Sequence, residues 1–268
     1  MTRARIIMSG AAGRMGRNII ALAHAHPDAD VVAALESQGN PTLGTDAGIL
    51  AGVGPISVNI GDDYAAVAVP GTVTLEFTAP DATMEHVRVA AAAGAGIVVG
   101  TSGLSREQRD ELETLSKNMP TLFAPNMSIG LNVLLSLVAD AASRLGSDFD
   151  CEIVEIHHNK KKDSPSGTAI ALAEAVAAAR GLDPDRALVT ARQGMVGERD
   201  RDEIGVVALR GGDNAGEHTV MLVGAGERVE LTHRAASREC LAAGAVRAAL
   251  WLAGQGPGLY SMQDVIGA

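Results

Sequence analysis

Short apolar runs alternate with longer amphipathic stretches through the first half of the chain. "RIIMSGAAGRMGRNIIALAHAHPDADVVAALE" reads as an apolar strand, a glycine turn, a helix-compatible segment and a second apolar run ending at Glu36. The pattern repeats: "TVTLEFTAP" predicts a strand ending at Phe77-Thr78, "DATMEHVRVAAAAG" a helix, and "AGIVVGTSG" a strand with a small polar turn. "REQRDELETLSKN" continues as a charged helix and "TLFAPNMS" as a strand with a terminal loop. Such βα alternation predicts a parallel sheet with helices on its faces. "LESQGNPTLGTDAGILAGVGP" has glycines and few periodic apolar positions, and is expected to be a surface loop or mobile flap.

The second half changes period. After the helix "GLNVLLSLVADAASRLG", the strand "DCEIVEIHH" leads through a polar loop into the helix "GTAIALAEAVAAARG". "EIGVVALRGG", "EHTVMLVGAG" and "RVELTHRA" then follow between glycine turns, as antiparallel strands do. The expected architecture is α/β: a Rossmann-like parallel-sheet domain plus an α+β domain with an open mixed sheet. The boundary falls near Asn126 to Ser128, with "RECLAAGAVRAALWLAG" returning to the first domain. The open sheet face would need covering, so a homo-oligomer is expected.

Composition narrows the function. A net charge of -10 and an aromatic content of 2% argue against a nucleic-acid binder, which needs a basic field or stacking platforms. No segment reads as a signal peptide or as the roughly 18 apolar residues of a spanning helix, so a soluble cytoplasmic protein without membrane attachment is expected. Cys151 and Cys240 form no C-x-x-C pair and are expected to be buried free thiols.

Gly10, Gly13 and Gly16 form a G-x-x-G-x-x-G turn between the first strand and helix. With 31 glycines in 268 residues, roughly 0.4 such triplets arise by chance, so the triplet alone says little. Its place in a βαβ unit, with Glu36 following, points to a pyrophosphate cradle at a helix start. Ligands of such sheets sit at the carboxyl ends of the strands. Here those ends offer the glycine turn, Glu36, Phe77-Thr78, Gly100-Thr101-Ser102 and Ala124 to Met127.

"HHNKKKDSPSGTA", residues 157–169, is the densest polar cluster. Ser166, Gly167 and Thr168 stand where a helix should begin, and unpaired N–H groups there suit a carboxylate or phosphate. Lys161 could add a full positive charge to the same anion. His157 and His158 end the strand, and only one of them need face the site. A histidine there is a suitable proton donor near neutral pH. Read blandly, the lysines are a solvated charge run and Ser-Gly-Thr an ordinary helix cap. Adjacent histidines rarely share an ion, and no third ligand is suggested, so no metal site is expected. His24, His26 and His86 are expected on surface helices or loops, and His218 and His233 as structural residues.

"EIHHNKKKDSPSGTA" resembles the signature of the dihydrodipicolinate reductases, also called 4-hydroxy-tetrahydrodipicolinate reductases, of the lysine and diaminopimelate pathway. The resemblance extends through "GAAGRMGR", "GTSG", "APNMSIG", "GEHT" and "GAVRAALWL", nearly the whole chain. It implies a dinucleotide-binding domain of residues 1–127 plus 238–268, a substrate-binding and oligomerisation domain of residues 128–237, and a homotetramer. It implies His157 as proton donor, Lys161 as the lysine that pairs with substrate and assists catalysis, and His158 with Ser166-Gly167-Thr168 as holders of the substrate's carboxylates. The implied cofactor crevice comprises Gly10, Ala11, Ala12, Gly13, Arg14, Met15, Glu36, Phe77, Thr78, Gly100, Thr101, Ser102, Ala124, Pro125, Asn126 and Met127. Members that favour NADPH can carry arginines where this chain has Ser37 and Ala79. The expected cofactor is therefore NADH by preference, or NADH and NADPH alike, with Arg14 a possible phosphate partner.

Overall fold

A computed structural model of the chain describes residues 3–237 and 239–267. Met1, Thr2, Arg238 and Ala268, which the expected domain limits include, lie outside the described residues. The chain divides into two compact units, residues 3–129 with 239–267 and residues 130–237.

In chain order the first unit runs β1 (Ala4–Ser9), α1 (Arg14–Ala25), β2 (Ala29–Leu35), α2 (Ala47–Ala51), β3 (Ile60–Gly61), β4 (Thr72–Glu76), α3 (Pro80–Ala93), β5 (Gly96–Val99), α4 (Arg106–Ser116) and β6 (Pro120–Phe123). Then come α5 (Ile129–Leu145), β7 (Asp150–His157), α6 (Gly167–Arg180), α7 (Pro184–Ala187), β8 (Leu188–Val189), β9 (Ile204–Arg210), β10 (Glu217–Gly224) and β11 (Glu227–Arg234). The chain re-enters the first unit with α8 (Glu239–Leu252), β12 (Gly258–Tyr260) and α9 (Met262–Ile266).

The first unit holds a seven-stranded sheet in the order β12-β6-β5-β4-β1-β2-β3, with every pairing parallel. This is the Rossmann-like order, with its crossover reversal between β1 and β4, where ligands of such sheets collect. Strands β4 and β5 are buried at every position; in β5 this matches the apolar run Ile97-Val98-Val99, whereas β4 buries Thr72, Thr74 and Glu76 between Val73 and Leu75. Alternate residues feed opposite faces: Ile6 and Met8 pack in one core with α1 and α8, whereas Ile7, Ile97 and Val99 pack in the other beneath α3 and α4. Helix α1 buries Gly16, Ile19, Ile20 and Ala23, a stripe at helical spacing. Strand β4 stops at Glu76, so Phe77 and Thr78 lie just beyond it, one step further into the loop than expected.

The 35–55 segment is not a structureless flap. Asp46 caps α2 through Gly48 N and Ile49 N, and also accepts from Ile56 N and Ser57 N at 2.8 to 3.2 Å. One aspartate thus closes the whole loop onto itself, a use of side-chain acceptors that apolar periodicity does not register.

The second unit holds a five-stranded sheet, β11-β10-β7-β9-β8. Strands β10 and β11 are antiparallel, as expected, but β9 runs parallel to β7 and to β8. The reason is the connection: α6 carries the chain back along the sheet before β9 starts, as a parallel crossover requires. Strand β7 alternates strictly, turning Cys151, Ile153, Glu155 and His157 inward. Cys151 and Ile153 join the core of α5 and α6, where Leu134, Val138, Leu172 and Val176 are buried. Cys151 is buried and burial pushes its thiol up to about 11, whereas Cys240 is only half-buried, contrary to expectation.

One segment also revises the hydropathy reading: residues 129–148 are long and apolar enough to cross a membrane by length and composition. In the fold, Leu131, Leu134, Val138 and Ala142 of this stretch form part of the core, which accounts for its apolar character.

Candidate active site

In the first unit the glycine turn follows β1. Gly10 has φ +80°, and a Cβ there would lie 2.7 Å from the Phe77 carbonyl oxygen; a Cβ on Gly16 would collide with the Gly10 carbonyl. The turn is therefore a close-packed backbone cradle with no room for a side chain at Gly10 or Gly16, leading into α1 at Gly13, whose N-cap position offers no side-chain acceptor. That leaves the helix start to an anion. Glu36, just past β2, is tied to this turn: Ala12 N donates to its Oε1 at 2.7 Å and Asn40 Nδ2 to its Oε2 at 3.0 Å.

The adjoining strand ends form one surface with it. The Phe77 ring lies where a Cβ of Gly100 would stand, and Thr78 N donates to Thr101 Oγ1 at 3.2 Å. Beneath them Glu76 is fully buried and paired with His86 Nδ1 at 2.7 Å, while Thr78 and Thr83 hydroxyls donate to its other oxygen. His86 is thus half-buried, packed on Tyr64 with ring centroids 4.4 Å apart, and not the surface residue expected. Its α3 position belongs to the inward face that Thr83, Met84 and Val87 define. At the end of β6, Ala124 and Met127 are buried, and the Met127 carbonyl sits where a Cβ of Gly244 on α8 would be. Arg14, Ser102 and Pro125 are exposed, and Asn126 accepts from Ser128 N at 3.0 Å. The residues present fit a dinucleotide.

In the second unit His157 ends β7, buried, with Nδ1 2.5 Å from Glu155 Oε2. Glu155 is fully buried and also accepts from Arg210 Nη1 (2.8 Å), Arg210 Nη2 (2.9 Å) and Ser166 N (3.1 Å). Burial alone would raise this carboxyl's pKa; the hydrogen bonds from Arg210, His157 and Ser166 outweigh it and hold the group below the usual carboxylate range. Ser166 caps α6, accepting from Ala169 N at 3.1 Å, and its hydroxyl meets His218 Nε2 at 3.0 Å. Burial, reinforced by the charge of His157, pushes His218 down to about 4, so its ring is neutral at pH 7.

Lys161 Nζ rests on the Asp163 carboxylate at 2.8 and 2.9 Å, and Arg210 also holds the Asp163 carbonyl. His158 lies beyond the strand, with its N–H on Asn214 O at 2.8 Å. Among the described residues, Nδ1 of His158 and Nδ1 of His218 are buried without a partner, capacity that a polar ligand can use. Gly167 and Thr168 open α6. His157, Ser166 and Lys161 are therefore linked through Glu155, Arg210 and Asp163.

Three members of this cluster were not anticipated: Glu155, Arg210 and His218, the last expected to be merely structural. The signal for Glu155 was present, because period-two alternation in "DCEIVEIHH" puts a carboxylate on the core face with His157.

Residues 4–127 match the family model described as dihydrodipicolinate reductase, N-terminus, and residues 130–266 match dihydrodipicolinate reductase, C-terminus. The chain belongs to the dihydrodipicolinate reductase family. The 4-hydroxy-tetrahydrodipicolinate reductase of Syntrophotalea carbinolica is 47% identical over 263 residues, 98% of each chain. That of Geobacter sulfurreducens is 46% identical over the same share. A solved structure of dipicolinate-bound dihydrodipicolinate reductase from Paenisporosarcina sp. TG-14 superposes with TM-score 0.77 at 23% identity, covering 99% of this chain and 100% of that one. An amine dehydrogenase from Mycobacterium smegmatis reaches TM-score 0.60 at 14% identity, covering 97% of this chain and 95% of that one. The fold is thus shared by different chemistries, and within this reductase family the site must carry the functional argument.

Proposed function

We propose that this chain reduces 4-hydroxy-tetrahydrodipicolinate to tetrahydrodipicolinate with NADH or NADPH and loss of water, the lysine and diaminopimelate pathway step for which its relatives are named. The observation that carries the reading is the buried His157–Glu155 pair joined through Ser166 to the start of α6: an acid and an anion-binding turn in one hydrogen-bonded unit.

Residues 1–127 plus 238–268 form the dinucleotide-binding domain, with Gly10 to Met15, Glu36, Phe77, Thr78, Gly100 to Ser102 and Ala124 to Met127 as its contacts. Residues 128–237 bind substrate and assemble the oligomer. A bound reduced nicotinamide supplies hydride for C4 of a conjugated cyclic imine. His157 gives the proton to the enamine that develops. His158, Ser166, Gly167 and Thr168 hold the substrate's carboxylates at the N–H groups that open α6. Lys161 exchanges Asp163 for the substrate and stabilises its growing charge; with Asp163 62% exposed, leaving that pair costs at most about 1 kcal/mol.

Glu36 suits a ribose hydroxyl and repels a 2'-phosphate, and Ser37 and Ala79 supply no cation, so NADH is preferred or both cofactors serve, with Arg14 the remaining phosphate partner. Val207 and Leu209 expose 42% and 47% of their surface on β9, which supports assembly through the sheet face into a homotetramer. The protein acts in the cytoplasm, on a small dicarboxylate and not on nucleic acid or membrane.

The test is the initial rate of reduced-cofactor loss, with the unstable substrate generated in place by its synthase, using NADH and NADPH side by side. Rapid substrate-dependent oxidation, with kcat/KM for NADH at least equal to that for NADPH, is expected. Binding of either cofactor without oxidation would overturn the reductase reading, and a much higher kcat/KM for NADPH would overturn the preference.

A further inference from the structure

An ionised carboxylate only accepts hydrogen bonds, in about four lone-pair directions. Glu155, fully buried, has two donors on each oxygen: Arg210 Nη2 and Ser166 N on Oε1, Arg210 Nη1 and His157 Nδ1 on Oε2. Arginine and backbone N–H can only donate, so they hold Glu155 as an acceptor. The remaining partner must then donate as well. A bare Nδ1 would set a lone pair 2.5 Å from a carboxylate oxygen; an Nδ1–H makes a short charge-assisted hydrogen bond.

With Nδ1–H committed to Glu155, Nε2 is the ring nitrogen left to gain and release a proton. Once it has released one, the ring is the neutral Nδ1–H form that Glu155 already accepts, so no tautomer exchange follows. The surroundings of Nε2 fit this duty. Gly216, with φ +146°, faces it so closely that a Cβ there would lie 2.9 Å from Nε2; any other residue would place carbon against that atom. The ring of His218 stands edge-on with centroids 5.2 Å apart and makes its own bond to Ser166.

We infer that Glu155 is a positioning residue for the reduction: it fixes His157 as the Nδ1–H form and so assigns proton delivery to Nε2, while Gly216 keeps the approach to that atom open. By also accepting from Ser166 N, it ties the proton donor to the start of the anion-binding helix. The inference rests on the reading of His157 as proton donor. A purely structural Glu155 would give the same ion pair with Arg210 but would not dictate the tautomer or act through His157.

The wild-type protein, labelled with 15N-histidine and measured by 1H–15N NMR on the alkaline side of its histidine titrations, tests the tautomer without any change to the buried cluster. The His157 signals are identified by their loss in His157→Gln. A protonated Nδ1 and bare Nε2 are expected; the Nε2–H pattern would overturn the inference. Turnover supplies the second test. Glu155→Gln places an amide where four donors converge, and should lower kcat about 10- to 100-fold, with KM for reduced cofactor changed less than about twofold. In a His157→Gln background the same change should cost less than about twofold, because its route through His157 is already gone. An equal loss in both backgrounds, or wild-type turnover in Glu155→Gln, overturns the inference. Wild-type turnover in His157→Gln would instead remove the proton-donor reading, and the NMR pattern would still decide whether Glu155 fixes the ring. Should Glu155→Gln fail to fold, the wild-type spectrum decides.

Discussion

Two carboxylates follow the same local plan in the two units and end in different roles. Glu36 and Glu155 each stand at or near the end of a strand, and each accepts from the backbone of a turn that starts a helix, Ala12 N in one case and Ser166 N in the other. Glu36 is half-buried and its donors are neutral, including Asn40 Nδ2 at 3.0 Å. It keeps lone-pair capacity toward solvent and hence toward a ligand hydroxyl. Glu155 is fully buried, takes a bidentate arginine, and has two donors on each oxygen. Its acceptor capacity belongs to its neighbours, so it can orient them but has nothing left for substrate. Whether a site carboxylate binds or positions is set by how many protein donors it already satisfies.

The largest effect that separates the two is on stability. Glu155→Ala leaves Arg210, 22% exposed, and the buried Ser166 N–H without their acceptor, at a cost of about 3 kcal/mol; Glu36→Ala should cost under about 1 kcal/mol. Urea unfolding of both variants measures this, and equal losses would erase the distinction.

The next effect tests the neutral ring beside Glu155. Burial lowers His218 from 6.5 to about 4, so between those values the unfolded chain binds a proton that the folded chain refuses. Stability is therefore fully present above the unfolded value and falls as pH drops from 6.5 toward 4, by up to about 3 kcal/mol for this group. Unfolding followed across that range should show the slope, and His218→Asn should flatten it; an unchanged slope would place the acid sensitivity elsewhere.

A smaller effect concerns ligand affinity. Glu36→Gln should weaken NADH binding about 3- to 10-fold while leaving NADPH binding unchanged or tighter, because the charge that repels a 2'-phosphate is gone. Fluorescence titration with both cofactors checks it, and equal weakening of both would contradict the role. The smallest effect is at Asp163, 62% exposed: Asp163→Asn should shift stability by less than about 0.5 kcal/mol.

The alternation of β4 and β5 with α3 and α4 was legible because β5 reads as a short apolar run and β4 as a β-branched segment, each followed by a longer helix-compatible stretch, and the glycine turn was legible because its residues lie close together in sequence. The cluster around His157 was only half legible. Ser166 and Lys161 lie close in sequence, but Arg210 and His218 reach it through sheet register: Arg210 lies opposite His157 across β7 and β9, and His218 opposite Glu155 across β7 and β10. Those partners are 55 and 52 residues from the groups they bond, and neither their pairing nor the parallel sense of β9 follows from a period. Asp46 escaped for a related reason, since a side chain that satisfies backbone donors ten residues on leaves no apolar pattern.

The most direct measurement is turnover of wild type and His157→Gln side by side, reading reduced-cofactor oxidation with 4-hydroxy-tetrahydrodipicolinate supplied in place by its synthase. Substrate-dependent oxidation by wild type, reduced about 10²-fold or more in the variant while cofactor affinity is kept, is the predicted result. Equal rates in the two proteins would contradict the assignment of the proton to His157, and no oxidation in either would contradict the reductase itself.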